Sequence, residues 1–266
     1  MKSQSLSLGL SRIGIEIKQL VRDREATFWT LAFPIVLMVI FGSVFGNQKL
    51  GESQISFSQY FVAGMIASGV LYTSFQNLAI WIPQERDDGT LKRLQGLPMP
   101  KSSYFIGKIG LVVITYIGQT TVLILTGVVF YDIELPSGIE IWWRFIWISV
   151  LGLASCTLLG IAFSGVPKSG KGASAVVSPV VLVLQFASGV FFRFNDIPSW
   201  MQQFAALFPL KWLTQGMRSV FLPPEAAELE VVHSFEIGRT ALVLGLWLIA
   251  AAILAPIVFK WEKRQK

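Results

Sequence analysis

The sequence predicts an all-α integral membrane protein with six transmembrane helices, and three observations carry that expectation. The first is composition. Of 266 residues, 53% are hydrophobic and only 14% charged, with mean hydropathy +0.60, whereas soluble domains carry about a quarter charged residues. The second is a series of six apolar runs, at 28–46, 58–82, 104–130, 145–166, 173–192 and 240–259; a bilayer core of about 30 Å needs roughly 20 residues per helical span. The third is charge placement. With the N-terminus inside, 16 of the 22 Lys and Arg fall on the inner side and six on the outer, at Lys49, Arg144, Arg193, Lys211, Arg218 and Arg239. That asymmetry follows the positive-inside rule and puts both termini on the cytoplasmic side of a multi-pass protein. The net charge of +6 therefore reports orientation and contact with anionic membrane lipids rather than nucleic acid.

Taken in order, residues 3–24 place Leu10, Ile13, Ile17, Leu20 and Val21 at helical spacing with Arg12, Glu16, Lys18 and Arg22 between them. This reads as an amphipathic helix lying on the inner headgroups, with a docking face for a partner as a lesser and compatible alternative. The first run follows as an uncleaved anchor rather than a signal peptide, because its charged preface is long and no A-x-A site follows. Between the second and third runs, segment 83–101 is a richly charged, helix-prone island. In the fourth run, Gly152, Cys156, Gly160 and Ser164 recur every fourth residue as a packing face, more readily within one protomer than across a dimer. Residues 165–172, GVPKSGKG, approach a phosphate-binding loop but end on glycine where a hydroxyl is needed, with no strand before them. They read as a short basic turn.

Residues 193–239 form the one long remainder. Pro209 divides it into two stretches too short to span, and Trp200, Phe204, Leu207, Trp212 and Phe221 suit an interfacial or re-entrant helical hairpin in the outer leaflet. Residues 225–236 then read as an exposed acidic loop. All these segments belong to a single transmembrane domain covering 1–266.

Chemistry is sparse. One histidine, His233, and one cysteine, Cys156, exclude a His/Cys metal centre and an internal disulfide. No Asp or Glu falls centrally within a run, which disfavours ion-gradient coupling and leaves an intramembrane hydrolase without a base. Lys108 and Arg144 near opposite ends of their runs are expected to snorkel. Uncharged polar residues do lie within runs, among them Tyr72, Gln76, Gln119 and Gln185; they serve either interhelical hydrogen bonds or a route for amphipathic cargo. No catalytic, cofactor or metal residue is expected, and energy would arrive through the charged island.

That island, ERDDGTLKRLQGLPMPKSSYFIGKI, resembles the signature of type-2 ATP-binding-cassette (ABC) exporter permeases: a Glu, then Gly-Thr-Leu, a further Leu, and Pro before the third span. The matching positions are Glu85, Gly89, Thr90, Leu91, Leu94 and Pro98, with Asp88 beside them. The resemblance covers essentially the whole chain and is nearest the bacterial drug- and lipid-export branch, including daunorubicin-exporter permeases.

It implies a permease subunit in the bacterial inner membrane, paired with a second permease copy as homodimer or heterodimer. Two cytosolic ATPase subunits would bind ATP and magnesium and move 83–101 as a coupling helix. In this reading Leu91, Leu94 and Leu97 form an apolar docking stripe, with Glu85, Asp87, Asp88, Lys92 and Arg93 as charged contacts. By the same resemblance the cargo, a drug, lipid or glycolipid, would pass Tyr72, Phe75, Gln76, Gln185 and Phe186. An ion-driven secondary transporter or channel, a membrane scaffold, or a polysaccharide permease are the competing readings.

Overall fold

Backbone polar groups in hydrocarbon must bond within the chain, so long apolar runs close into helices. The computed structural model describes residues 2–46, 48–50 and 55–261; Lys263, Arg264 and Lys266, counted among the inner basic residues, lie outside them. The helices are α1 (Lys2–Arg22), α2 (Arg24–Phe45), α3 (Phe57–Val70), α4 (Asn77–Asp87), α5 (Thr90–Gln95), α6 (Lys101–Tyr131), α7 (Ile139–Phe163), α8 (Ala173–Ala187), α9 (Ser199–Ala206), α10 (Pro209–Phe221) and α11 (Ile237–Val258). A two-residue antiparallel pair, β1 (Lys49–Leu50) with β2 (Ile55–Ser56), joins α2 to α3 in the register Lys49 with Ser56. α3 and α4 are one continuous rod, joined through a π-helical turn at Leu71–Gln76.

Among the described residues, five helices are long and apolar enough to cross a membrane: Thr27–Phe45, Phe57–Asp87, Lys101–Tyr131, Ile139–Phe163 and Ile237–Val258. They coincide with five of the six apolar runs. The fifth run is shorter than expected. α8 has 15 residues and stops at Ser188, before Gly189 at φ 72°, so the stretch 188–192 leaves the helix.

α3 lies at the centre with nearly every side chain buried, packed against α2, α6 and α10, while α7 packs along α11. The small-residue face of α7 is what admits the π-helical turn. A Cβ on Gly160 would sit 2.8 Å from the Phe75 carbonyl oxygen, and one on Gly152 would meet Leu213 of α10. The stripe therefore serves packing within the protomer, as its sequence suggested.

The two short helices expected in 193–239 form as α9 and α10, but they differ in burial. α10 is buried along its whole length, including Trp212 and Phe221, because it inserts between α3, α7 and α11. Of the pair, α9 presents Trp200 and Phe204 outward, with Leu207 exposed just beyond its end. The segment 225–236 is also not simply exposed: Ala226, Leu229 and Glu230 are buried, and Glu230 is 3.0 Å from Arg218. Burial of Lys211 pushes its pKa below the ordinary lysine value, against the opposing pull of Glu236 and Glu230.

Candidate functional site: the coupling turn and its ionic anchors

The charged island folds as the end of α4, a tight reversal and α5. Gly89 takes φ 79°, a left-handed conformation that a side chain disfavours, and this reverses the chain. The Asp88 carboxylate accepts from the Thr90 amide at 2.8 Å, satisfying one of the free N–H groups that open a helix. Arg93 in turn donates to the Asp88 carbonyl at 3.0 Å. Asp-Gly-Thr is thus a stop, a turn and a start in three residues.

Three consecutive residues before that turn each tie it to a different part of the protein. Glu85 accepts from Tyr104 at 2.6 Å and from Lys108 at 2.5 Å, both on α6. Arg86 donates to the Ser164 carbonyl at the end of α7 and to the Lys260 carbonyl beyond α11, at 3.1 and 3.0 Å. Asp87 accepts from the Gly170 amide at 2.7 Å, pinning the turn that joins α7 to α8. The basic turn of 167–172 therefore serves as an anchor point.

The Glu85 anchor extends to α1. Lys108 is 1% exposed and also bonds Glu16 at 2.7 Å, and Glu16 accepts from Arg12 at 2.9 Å. Arg12 and Glu16 thus lie on the buried face of α1, against α6, while Leu10 and Val21 point outward. Arg12 fits there because its Cγ occupies the space a Cβ on Gly107 would need, at 2.5 Å. Lys108 does not snorkel: a cation buried between two carboxylates is better compensated than one stretched along a helix surface. Arg144 likewise turns inward, donating to the Ser219 carbonyl at 3.1 Å. Beside the ionic cluster lies a cavity of about 500 Å³ that Trp81, Gln84, Asp88 and Arg22 help to line.

The proposed docking stripe is redistributed. Leu91 is completely buried, Leu94 is half-buried against the core, and only Leu97 is exposed, so the three do not form one outward face. Glu85 is turned inward to α6, while Asp87 is exposed and bonds the Gly170 amide from the surface. Asp88, Lys92, Arg93, Gln95, Leu97 and Pro98 make the outer surface, and Thr90 is half-buried at the start of α5.

Of the five residues assigned to a cargo path, the structure gathers three. Tyr72 on the π-helical turn lies within hydrogen-bonding reach of Gln76 and Gln185, and Gln185 donates to Ser68 at 2.9 Å. The π-helical turn rotates Phe75 the other way, into the core against Phe163 at a ring separation of 5.3 Å. Phe186 is exposed and packs at a tilt against Phe191 and Phe192 near the end of α8. Sequence reasoning missed Glu16, Tyr104 and Lys108 as partners of the charged turn. The available signal was a lysine inside an apolar run, which is costly unless paired.

The sequence profile of ABC-2 type transporters matches residues 13–222, most of the chain. The chain belongs to the ABC-2 type transporter family. Among ABC-2 relatives, it is 30% identical over 246 residues to a probable doxorubicin resistance ABC transporter permease protein, DrrC, of Mycobacterium tuberculosis, covering 88% of this chain and 82% of that one. It is 23% identical to the putative transport permease YvfS of Bacillus subtilis, over 73% of this chain and 77% of the relative. The same identity holds to the inner membrane transport permease YadH of Escherichia coli, over 77% and 80%. ABC-2 permeases work with ABC ATPase partners, and this chain is a multi-pass membrane protein of that family whose match includes the entire charged turn.

Proposed function

We propose that the chain is the membrane-spanning subunit of an ATP-driven exporter that moves a hydrophobic or amphipathic molecule, a drug, lipid or glycolipid, outward by alternating access. Two copies of the permease, identical or related, would sit in a bacterial inner membrane with both termini in the cytoplasm. Two separate ATPase subunits, holding ATP and magnesium, would bear on Asp88, Lys92, Arg93 and Leu97. The kinship with a probable doxorubicin-resistance permease supports a drug cargo.

The observation that carries this reading is the triple anchoring of Glu85, Arg86 and Asp87. A load applied to α5 passes into α6 and through Lys108 into α1, into the end of α7, the segment after α11 and the turn before α8. Such a turn moves the bundle as a lever, which a freely solvated loop does not. Tyr72, Gln76 and Gln185 offer hydroxyl and amide groups where an amphipathic cargo would meet the protein.

The test uses the purified chain with and without its ATPase subunits in proteoliposomes. The chain alone hydrolyses no ATP. Glu85→Ala with Leu94→Asp inserts in the membrane but loses ATPase-driven transport. Robust hydrolysis by the isolated chain, or unchanged transport by the variant, overturns the reading.

A further inference from the structure

Away from the coupling turn, α10 carries Lys211, Gln215 and Arg218 at i, i+4 and i+7, one face of a helix, and all three are buried. Each bonds the segment between α10 and α11. Arg218 donates to Glu230 at 3.0 Å, Gln215 donates to the Ser234 carbonyl at 3.0 Å, and Lys211 lies 3.8 Å from Glu236. Arg218 reaches further. Its Nη2 donates to the Gly189 carbonyl at the end of α8, and its Cζ lies 3.9 Å from the Tyr60 ring of α3. One guanidinium therefore holds α3, α8, α10 and the connecting segment together, using the fork geometry that lysine lacks.

Two further observations indicate that this closed arrangement is held rather than relaxed. Arg218 Nε and Ser188 Oγ are buried with no hydrogen-bond partner among the described residues. A buried polar atom without a partner loses what water would give it, so admitting solvent here is favourable for both. His233 and Glu236 adopt φ 49° and 43°, left-handed values that non-glycine residues avoid. A segment in that state stays shut only while its bonds to α10 persist.

We propose that residues 224–236 are a lid over the end of α8, latched by the Arg218–Glu230 pair, and that the latch breaks when the transporter releases cargo at this end. The release step rests on the exporter reading above; the latch itself does not. Glu230 and Arg218 are then positioning residues for the opening, and Ser188 is the first group that solvent reaches.

The experiment places a reporter thiol at Ser188→Cys in a Cys156→Ala background, reconstitutes the full chain in lipid nanodiscs and measures labelling by a charged maleimide. Nanodiscs expose both faces, so orientation does not enter. Glu230→Gln removes the charge-assisted bond and raises the labelling rate by about ten- to a hundredfold. Arg218→Met with Glu230→Leu removes the pair and also the bond to the Gly189 carbonyl, so it raises labelling at least as far. Labelling at or below the parent's rate in either variant overturns the latch. Should Glu230→Gln fail to accumulate, the paired substitution decides alone: faster labelling supports the latch, and unchanged or slower labelling overturns it. Labelling that responds as stated in a chain that transports without any ATPase would leave the latch standing and remove the exporter reading.

Discussion

Lys108→Met is the most demanding test of the coupling end. Lys108 is 1% exposed and bridges Glu16 at 2.7 Å and Glu85 at 2.5 Å. Removing the cation leaves two carboxylates facing each other at a buried site, with Arg12 still holding Glu16 and Tyr104 still donating to Glu85. Taking one partner from a buried pair costs about 3–5 kcal/mol. For a domain of this size that lowers Tm by roughly 6–20 °C.

Glu85→Gln in the same background returns part of the loss, because the repulsion disappears while Tyr104 keeps an acceptor. The two substitutions are therefore non-additive, with a coupling energy of about 0.5–3 kcal/mol expected of residues in one network. Cys156 supplies the assay. It is the sole cysteine and is fully buried, so a fluorogenic maleimide reports unfolding of the purified protein as temperature rises. Lys92→Met, at an exposed position, serves as control and shifts Tm by no more than about 2 °C. A Tm for Lys108→Met within the control's range, or strict additivity with Glu85→Gln, refutes the reasoning.

The remaining expectations address other parts of the molecule. Leu91→Asp buries a carboxylate and abolishes accumulation of folded protein, whereas Leu97→Asp leaves Tm unchanged and weakens co-purification of the ATPase subunit; equal effects of the two would mean the surface assignment of α5 is wrong. Gly160→Ala places a methyl 2.8 Å from the Phe75 carbonyl and costs about 1–3 kcal/mol by overpacking, read as a lowered Tm. Because burial lowers the Lys211 pKa, the unfolded chain binds more protons than the folded one just below the ordinary lysine pKa. Stability therefore rises with pH across that alkaline window; Lys211→Met flattens this slope in thermal unfolding, and an unchanged slope rules Lys211 out as its source.

Composition and hydropathy alone specified a helical membrane protein and located five of its spans, because a stretch of about 20 apolar residues has few alternatives in a bilayer. The family signature from Glu85 to Pro98 was equally legible, since Asp-Gly-Thr encodes its own turn through local bonds. The small-residue face of α7 could also be read in advance, because its four-residue period is itself the packing instruction.

Tertiary structure decided what each charge does. Glu16, Glu85 and Lys108 are far apart in sequence, and hydropathy gives no sign that they meet; the same holds for Arg218, Glu230 and the carbonyl of Gly189. Leu91 and Leu97 look alike in the chain, yet one is buried and the other exposed. The length of α8 and the immersion of α10 were likewise beyond the sequence, since α8 ends where Gly189 takes a left-handed conformation and α10 is buried only because α3, α7 and α11 surround it. Local periodicity fixes elements because backbone hydrogen bonds are local. The destination of a buried charge depends on which helix brings its counterion, and that is settled only when the bundle closes.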